Sequence, residues 1–499
     1  MPVPAWLADL PHSSFMALGD SLLNGMRSYS IDDTKAAASI PALVGAALQP
    51  RAGVLPFQPA RYPAPILIDV EDQLRHYARS VSSTAALIDV LNALPAIKAD
   101  VTQNARDWIA RFDRDPGGPA DTAAFDNLAI AGARIEDAFE ITGGQLDARI
   151  DAMAEQVSSQ SDPLTWGGNW PANDPQAGSS WGVGDVHINF NARHLRNPAN
   201  RDGLDDMTVL DLVGARQPRT LLVDMGANHG LVDVVMRDRG DAGMDGLRAF
   251  AAAWPACARA IARLPGVERV IMLLLPRPSQ TPCLAPPNPS PAPELEPGPT
   301  RPDHYFSRYV SALAPISAGF GYDGDTVQRF DREMDDVNAT VRAGMEAAFA
   351  GSGKHLAFVS LAELLAMHDY KHRRGPMLPG TGGRGYSNYP LGEIGSLFHG
   401  SRLRGGICGL DQIHPSTIGY RFVAEAVRQA LSAMDGAPGT TPIEITDAGD
   451  PFLLTPHWPT IAALDGLYPR AAAGLERLEP PHPEKEAARR LIFEADWLR

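Results

Sequence analysis

The sequence predicts an α/β fold, a doubly wound sandwich built on a parallel sheet, and three observations lead there. Five short apolar runs, residues 15–18, 127–131, 220–225, 269–275 and 355–360, are near-continuous in apolar character rather than alternating. Strands covered on both faces read this way, whereas a half-exposed sheet alternates. Helical spacing lies between the runs: Ile135, Ala138 and Phe139 after the second, Leu247, Phe250 and Ala251 after the third, and Val337, Val341, Met345 and Phe349 before the fifth. The crossovers are long, as parallel pairing requires. Ligands of such sheets bind beyond the carboxyl ends of the strands.

The 499 residues carry 44 Lys and Arg against 59 Asp and Glu, a formal charge of −15. That balance argues against a nucleic-acid groove or an anionic membrane surface as partner. Hydrophobic residues at 44% and charged residues at 21% are those of a packed globular chain, not of a disordered one. Cys257, Cys283 and Cys408 are odd in number and widely spaced, so neither a disulfide framework nor a C-x-x-C metal pair is expected. Residues 1–14 lack the basic start, apolar stretch and small-residue cleavage site of a secretory signal, and no run approaches the roughly 18 apolar residues of a membrane span. A soluble, cytoplasmic protein is the resulting expectation.

The frame is expected to occupy residues 1–435, with insertions at about 30–120, 161–200, 276–302 and 369–409, and a C-terminal extension over 436–499. The first insertion reads as extra helices and the second as a loop rich in Gly, Asn and Trp. The third is Pro-rich and reads as an extended or disordered excursion. The fourth is Gly-rich and reads as a mobile flap.

Chemistry concentrates at four places. The first run ends in Gly19-Asp20-Ser21-Leu22, which sets a serine at a strand-to-helix turn, where backbone N–H groups favour a developing oxyanion. Ordinary turn and N-cap chemistry would place the same residues there. A serine nucleophile needs a base and a group to orient that base. Asp411-Gln412-Ile413-His414 supplies both within one turn, and Pro415 followed by Tyr420, Val423, Val427 and Leu431 at helical spacing distinguishes it from Asp9/His12 and Asp369/His372, which read as solvated loops. The second run leads into Gly132, where a missing side chain lets a backbone N–H approach a reacting carbon. The third leads into Gly226-Ala227-Asn228-His229, which sets an Asn amide beyond a strand end; a tight turn and a helix N-cap are the plainer readings of these two.

Taken together, the blocks GDSL at 19–22, Gly132, G-x-N at 226–228 and DxxHP at 411–415 form an ordered set that resembles the SGNH (GDSL) hydrolase family, in its lipase and acylhydrolase branch. The resemblance spans residues 15–431 and implies a flavodoxin-like three-layer sandwich, with a five-stranded parallel sheet of order 2-1-3-4-5. It implies Ser21 as nucleophile, His414 as general base and then acid, and Asp411 as the group orienting the imidazole. The Ser21 and Gly132 backbone N–H groups and the Asn228 side-chain amide would form the oxyanion hole. No metal or organic cofactor is implied. One position departs from the family pattern: His229 stands where the third block usually has Asp, which bears on how firmly Asn228 is held.

Rival motifs lack their structural context. Gly178-Ser179-Ser180-Trp181-Gly182 fits G-x-S-x-G but follows no apolar strand, and residues 380–385 fit G-x-G-x-x-G with neither strand before nor helix after. His368 and His372 are spaced to share a metal, yet no third ligand is evident. Trp166, Trp170 and Trp181 fall in one loop and would either line an acyl or sugar pocket or pack that insertion onto the sheet. The expected activity is hydrolysis of lipid or other hydrophobic carboxylic esters through an acyl-enzyme on Ser21. Carbohydrate O-deacetylation and a non-catalytic binding protein on the same fold are the alternatives.

Overall fold

Four parallel strands form the central sheet of the computed structural model: β1 (Phe15–Gly19), β2 (Thr220–Asp224), β3 (Arg269–Leu274) and β4 (His355–Ser360), adjacent in that order. Register is set from Phe15 opposite Thr220, Thr220 opposite Arg269 and Arg269 opposite His355. The structure describes residues 3–48, 56–62, 124–159, 183–236, 239–285, 321–366 and 411–446, with short pieces between them, 406–409 included.

Strand side chains alternate between two cores, which is why these runs are apolar throughout. Phe15, Ala17, Leu222, Ile271 and Leu273 enter one core, met by Ile40 and Val44 of α1 (Ile40–Ala47) and by Ile418, Val423, Val427 and Leu431 of α4 (Thr417–Ser432). Met16, Leu18, Leu221, Val223, Val270 and Met272 enter the other. That core is closed by Leu247, Phe250, Trp254 and Ile261 of α2 (Gly240–Ala262) and by Val337, Val341 and Met345 of α3 (Gly324–Phe349). The result is an α/β arrangement with helices on both faces of a parallel sheet. Among the described residues no helix is long and apolar enough to cross a membrane.

Several expectations need correction. The run at 127–131 does not form a ladder strand; it makes one parallel bridge, Asn127 to Ala17, so the described sheet has four strands and not five. Its backbone follows the edge of β1, with Leu128 and Ile130 N–H groups donating to Ala17 and Gly19 carbonyls at 2.9 Å each. On the edge facing away from β1, side chains take the backbone groups: the Ala129 N–H donates to Asn127 Oδ1 at 3.2 Å, and Asn127 Nδ2 donates to the Leu23 carbonyl at 2.9 Å. The segment expected as a loop over 161–200 contains the helix Val183–Arg196. Ile188, Ala192 and Leu195 mark its apolar stripe at helical spacing, obscured in sequence by its Asn and Gly content.

The Pro-rich stretch begins with order: Pro278–Gln280 is a single 3₁₀ turn, and Asp331 accepts from the Ser279 N–H at 3.0 Å. Asp369, expected in a solvated loop, is buried beside Asn388, and His368 sets its ring edge-on to Phe422. Its candidate metal partner His372 lies outside the described residues, as do Trp166, Trp170, Trp181 and residues 178–182. The first residues of the C-terminal extension lie against the frame: Thr440 bridges Leu48 and the Ile443 N–H donates to Glu425 at 2.9 Å.

Phe250 links core to site. Its ring lies 5.4 Å from Trp254, and a Cβ built on Gly226 would stand 2.8 Å from it. Phe250→Ala is expected to lower the unfolding free energy by about 3–5 kcal/mol, the usual loss for a fully buried aromatic. Urea unfolding followed by fluorescence and circular dichroism measures it, and a loss under about 1 kcal/mol would show that the ring is not anchored as described.

Candidate active site

β1 carries Gly19, Asp20 and Ser21 to the carboxyl end of the sheet. A Cβ at Gly19 would lie 2.6 Å from the Asp224 carbonyl, so the close approach of β1 and β2 here requires glycine. The helical turn Ser21–Asn24 is capped by Asp20, whose Oδ1 accepts from the Leu22 N–H at 3.1 Å. Gly25 in the left-handed region ends it. One turn sums to little macrodipole, so the donors here act as individual N–H groups. Because Asp20 does the capping, the Ser21 hydroxyl is available to another partner.

That partner is His414. Ser21 Oγ lies 2.8 Å from His414 Nε2, and His414 Nδ1 lies 2.7 Å from Asp411 Oδ2. The path runs from buried to accessible: the Asp411 side chain is 0% exposed and that of His414 14%. A local turn orders the loop, with the Gln412 N–H donating to the Gly409 carbonyl at 3.0 Å and the Gly409 N–H donating to the His414 carbonyl at 2.7 Å. Ser416 then caps α4, and the Tyr420 hydroxyl donates to the Met26 carbonyl, tying α4 to the serine's own segment.

The Asp411 carboxylate receives four N–H groups. His414 and Ile413 amides reach Oδ1 at 2.9 and 3.1 Å, while His414 Nδ1 and the Tyr29 amide, at 3.0 Å, reach Oδ2. Burial raises its pKa, but the His414 charge and the hydrogen bonds from His414 and Ile413 outweigh burial and hold it below the ordinary carboxylate range. Tyr29 has no signature in sequence. It sits with Ser28 in a two-residue turn closed by reciprocal Arg27 and Ser30 hydrogen bonds, both central residues at positive φ (50° and 63°), as a type I′ turn requires.

The other two blocks lie against the same end of the sheet. Gly132 takes φ +77°, and a Cβ there would meet Ile188 at 2.8 Å. Gly226 takes φ +126°. Among the described residues neither the Ser21 nor the Gly132 N–H donates to a protein group. The Asn228 amide was expected to point at the oxyanion; instead its Nδ2 donates to Asp20 Oδ2 at 3.3 Å and to the Ala133 carbonyl at 3.1 Å. Both of its hydrogens are engaged, so one, from the longer bond, must be redirected or shared when a negative oxygen forms nearby.

His229 braces this arrangement. Its Nε2 accepts from the Ile135 N–H at 3.0 Å, the start of helix Ile135–Phe139, and its ring lies 5.0 Å from Phe250. Arg134 Nε donates to the Asn228 carbonyl at 3.1 Å. The second and third blocks are therefore bound to each other by three hydrogen bonds, two of them through residues that motif reading passed over. Burial, with the Arg134 charge, depresses the His229 pKa from 6.5 to about 4, so the ring is a neutral acceptor.

Asp224, at the end of β2, is the other residue missed. A carboxylate closing an otherwise apolar strand was the available signal. Buried beside Asp20, it is pushed well above the ordinary range, first by burial and then by the Asp20 charge. Among the described residues no group of three or more His, Cys, Asp or Glu could hold a metal ion.

No family model matches the chain, and no match to it was found among curated proteins or among solved structures.

His229 sets a testable acid response. Between pH 6.5 and 4 the unfolded chain takes a proton that the folded chain refuses, so stability is lost as pH falls through that window. His229→Gln keeps an acceptor but does not titrate. It is expected to remove on the order of 2 kcal/mol of the decline, read from Tm against pH beside wild type. Superimposable slopes would show that the ring is not held neutral by its surroundings.

Proposed function

We propose that this chain is a serine ester hydrolase of the SGNH (GDSL) type. The observation supporting it most is the continuous relay from Ser21 Oγ through His414 to Asp411, at 2.8 and 2.7 Å, between residues 393 positions apart. A hydroxyl aligned on an imidazole whose far nitrogen is held by a buried carboxylate is the constellation of acyl transfer, and it is recognised by geometry rather than by sequence position. Residues 127–131 run along the edge of β1 opposite β2, and counted as a strand they would complete the flavodoxin-like order 2-1-3-4-5.

In this reading His414 takes the Ser21 proton as Oγ attacks an ester carbonyl. The carbonyl π pair moves onto oxygen, which is met by the Ser21 and Gly132 N–H groups and the Asn228 amide. Collapse expels the alkoxide, which takes the proton from His414 and leaves an acyl-enzyme. Water, deprotonated by His414, then attacks the same carbon, and Ser21 recovers its proton as the acid departs. Asp411 stays ionised and stabilises the imidazolium. The substrate class we favour is lipid or other hydrophobic esters.

The test uses p-nitrophenyl esters from acetyl to palmitoyl, an acetylated glycan and a fluorophosphonate that labels activated serines. Wild type is expected to hydrolyse the esters with a long-chain preference and to take the label. Ser21→Ala is expected to lose on the order of 10³-fold or more in kcat, and all labelling, with its circular dichroism unchanged. Retained turnover in that variant would remove Ser21 from its role. Acetyl-only turnover would move the assignment to O-deacetylation, and inertness of folded wild type toward every ester and the label would return a binding protein.

A further inference from the structure

Two carboxyls are buried under the reacting group, and one of them holds the proposed oxyanion donor. Asp20 and Asp224 are 1% and 2% exposed. They close neighbouring strands, with Asp224 paired in register to Gly19 and the Asp20 N–H donating to the Asp224 carbonyl at 3.2 Å. Buried together on neighbouring strands, both are pushed up, Asp20 to about 6 by burial and Asp224 well above the ordinary range by burial and then by the Asp20 charge. Among the described residues neither is paired with a Lys or Arg. The titratable groups acting on the same region are His414 from the DxxHP loop and the buried Tyr420 phenol from α4, with Arg27 and Asp411 also acting on Tyr420. With no Lys or Arg bonded to either among the described residues, a second negative charge here is costly, which favours retention of one proton by the pair.

The oxygens of Asp20 are divided. Oδ1 accepts from the Leu22 N–H at 3.1 Å and Oδ2 from Asn228 Nδ2 at 3.3 Å. The carboxylate therefore faces the helical turn of Ser21 with one oxygen and the proposed oxyanion donor with the other.

We infer that Asp20 and Asp224 form a proton-sharing carboxyl pair that positions the Asn228 amide for the oxyanion and keeps the charge beneath it at minus one. This rests on the ester-hydrolase reading of Ser21. Asp20 and Asp224 are positioning residues: they touch the donor, not the substrate. Removal of the shared proton at high pH places a second charge close to where the tetrahedral oxygen becomes negative, which raises the barrier without altering substrate binding. Both shifts are upward, so the folded state holds a proton the unfolded chain releases, and the pair's contribution to stability is lost as pH rises.

The experiment uses the full chain and p-nitrophenyl acetate, with Ser21→Ala as the background, and follows kcat and KM from weakly acidic to alkaline pH. Wild-type kcat is expected to fall on the alkaline side with KM little changed. Asp224→Asn, which keeps the shape of the side chain and cannot ionise, is expected to lose that fall, whereas Asp224→Ala, which removes the polar group, is not expected to reproduce the rescue. Asp20→Asn presents one acceptor to two donors and is expected to lose roughly 10- to 100-fold in kcat, below the full loss of an oxyanion donor. An alkaline limb unchanged in Asp224→Asn, or a wild-type kcat in Asp20→Asn, overturns the inference. Tm against pH separates this from failure of the hydrolase reading. If folded wild type hydrolyses nothing, the role assigned to Asn228 falls with that reading; the shared proton then stands only if Asp224→Asn flattens the alkaline loss of Tm, and falls if the two curves coincide.

Discussion

The buried carboxylate of Asp411 is the constraint around which the rest of the site is arranged. An ionised carboxylate taken out of water costs several kcal/mol unless it is paired and hydrogen-bonded, and here four N–H groups receive it, one from a residue 382 positions earlier. Holding Ser28 and Tyr29 in the left-handed region costs of the order of 1–3 kcal/mol each. A hydrogen bond to a charged group returns about 1.5–3 kcal/mol, and leaving a buried charge short of a donor costs more still. The strained turn and the buried charge therefore stabilise each other's presence, and their convergence sets His414 opposite Ser21.

The same accounting of charge explains the third block. The proposed acyl transfer would create a negative oxygen close to Ser21, and every fixed negative charge nearby would oppose it. His229 supplies the acceptor that the Ile135 N–H needs without adding a charge, because burial holds the ring neutral. A carboxylate at that position would accept the same bond and bring a charge with it. The Asn228 side-chain amide is consequently held by Asp20 and Ala133, and its backbone is held by Arg134 on its carbonyl and by the bond of the adjacent His229 to Ile135.

What could be read in the sequence follows from the range of the interactions concerned. Both-sided burial writes itself into every residue of a strand, so 15–18, 220–225, 269–275 and 355–360 were legible almost to the residue. The amphipathic helices after Asp411 and before His355 were legible for the same reason, through their 3.6-residue period. The meeting of Ser21, His414 and Asp411 was legible because each lies in a block whose order along the chain is informative. Tyr29, by contrast, acts through its backbone amide, which any residue but proline possesses, and Asp224 matters only because of what stands on the adjacent strand. Helix Val183–Arg196 was missed because buried Asn189, Asn191 and His194 dilute its apolar stripe.

The failed strand carries the most structural information. At 127–131 the apolar pattern is that of a strand, and its inner edge bonds β1 through the Leu128 and Ile130 N–H groups. Asn127 takes the outer edge: one end of its amide binds the Ala129 N–H and the other the Leu23 carbonyl, inside the helical turn that bears Ser21. Asn24, in that same turn, donates to the Ala129 carbonyl at 2.7 Å. Two side-chain amides thus fasten to the turn that bears Ser21 a segment whose backbone is bonded to β1. Gly132 follows three residues after Ala129, so its N–H inherits a fixed position relative to Ser21. Bonded to β1 on one edge and to the Ser21 turn on the other, the segment sets the distance between Ser21 and the Gly132 N–H, the distance on which the proposed ester hydrolysis would depend.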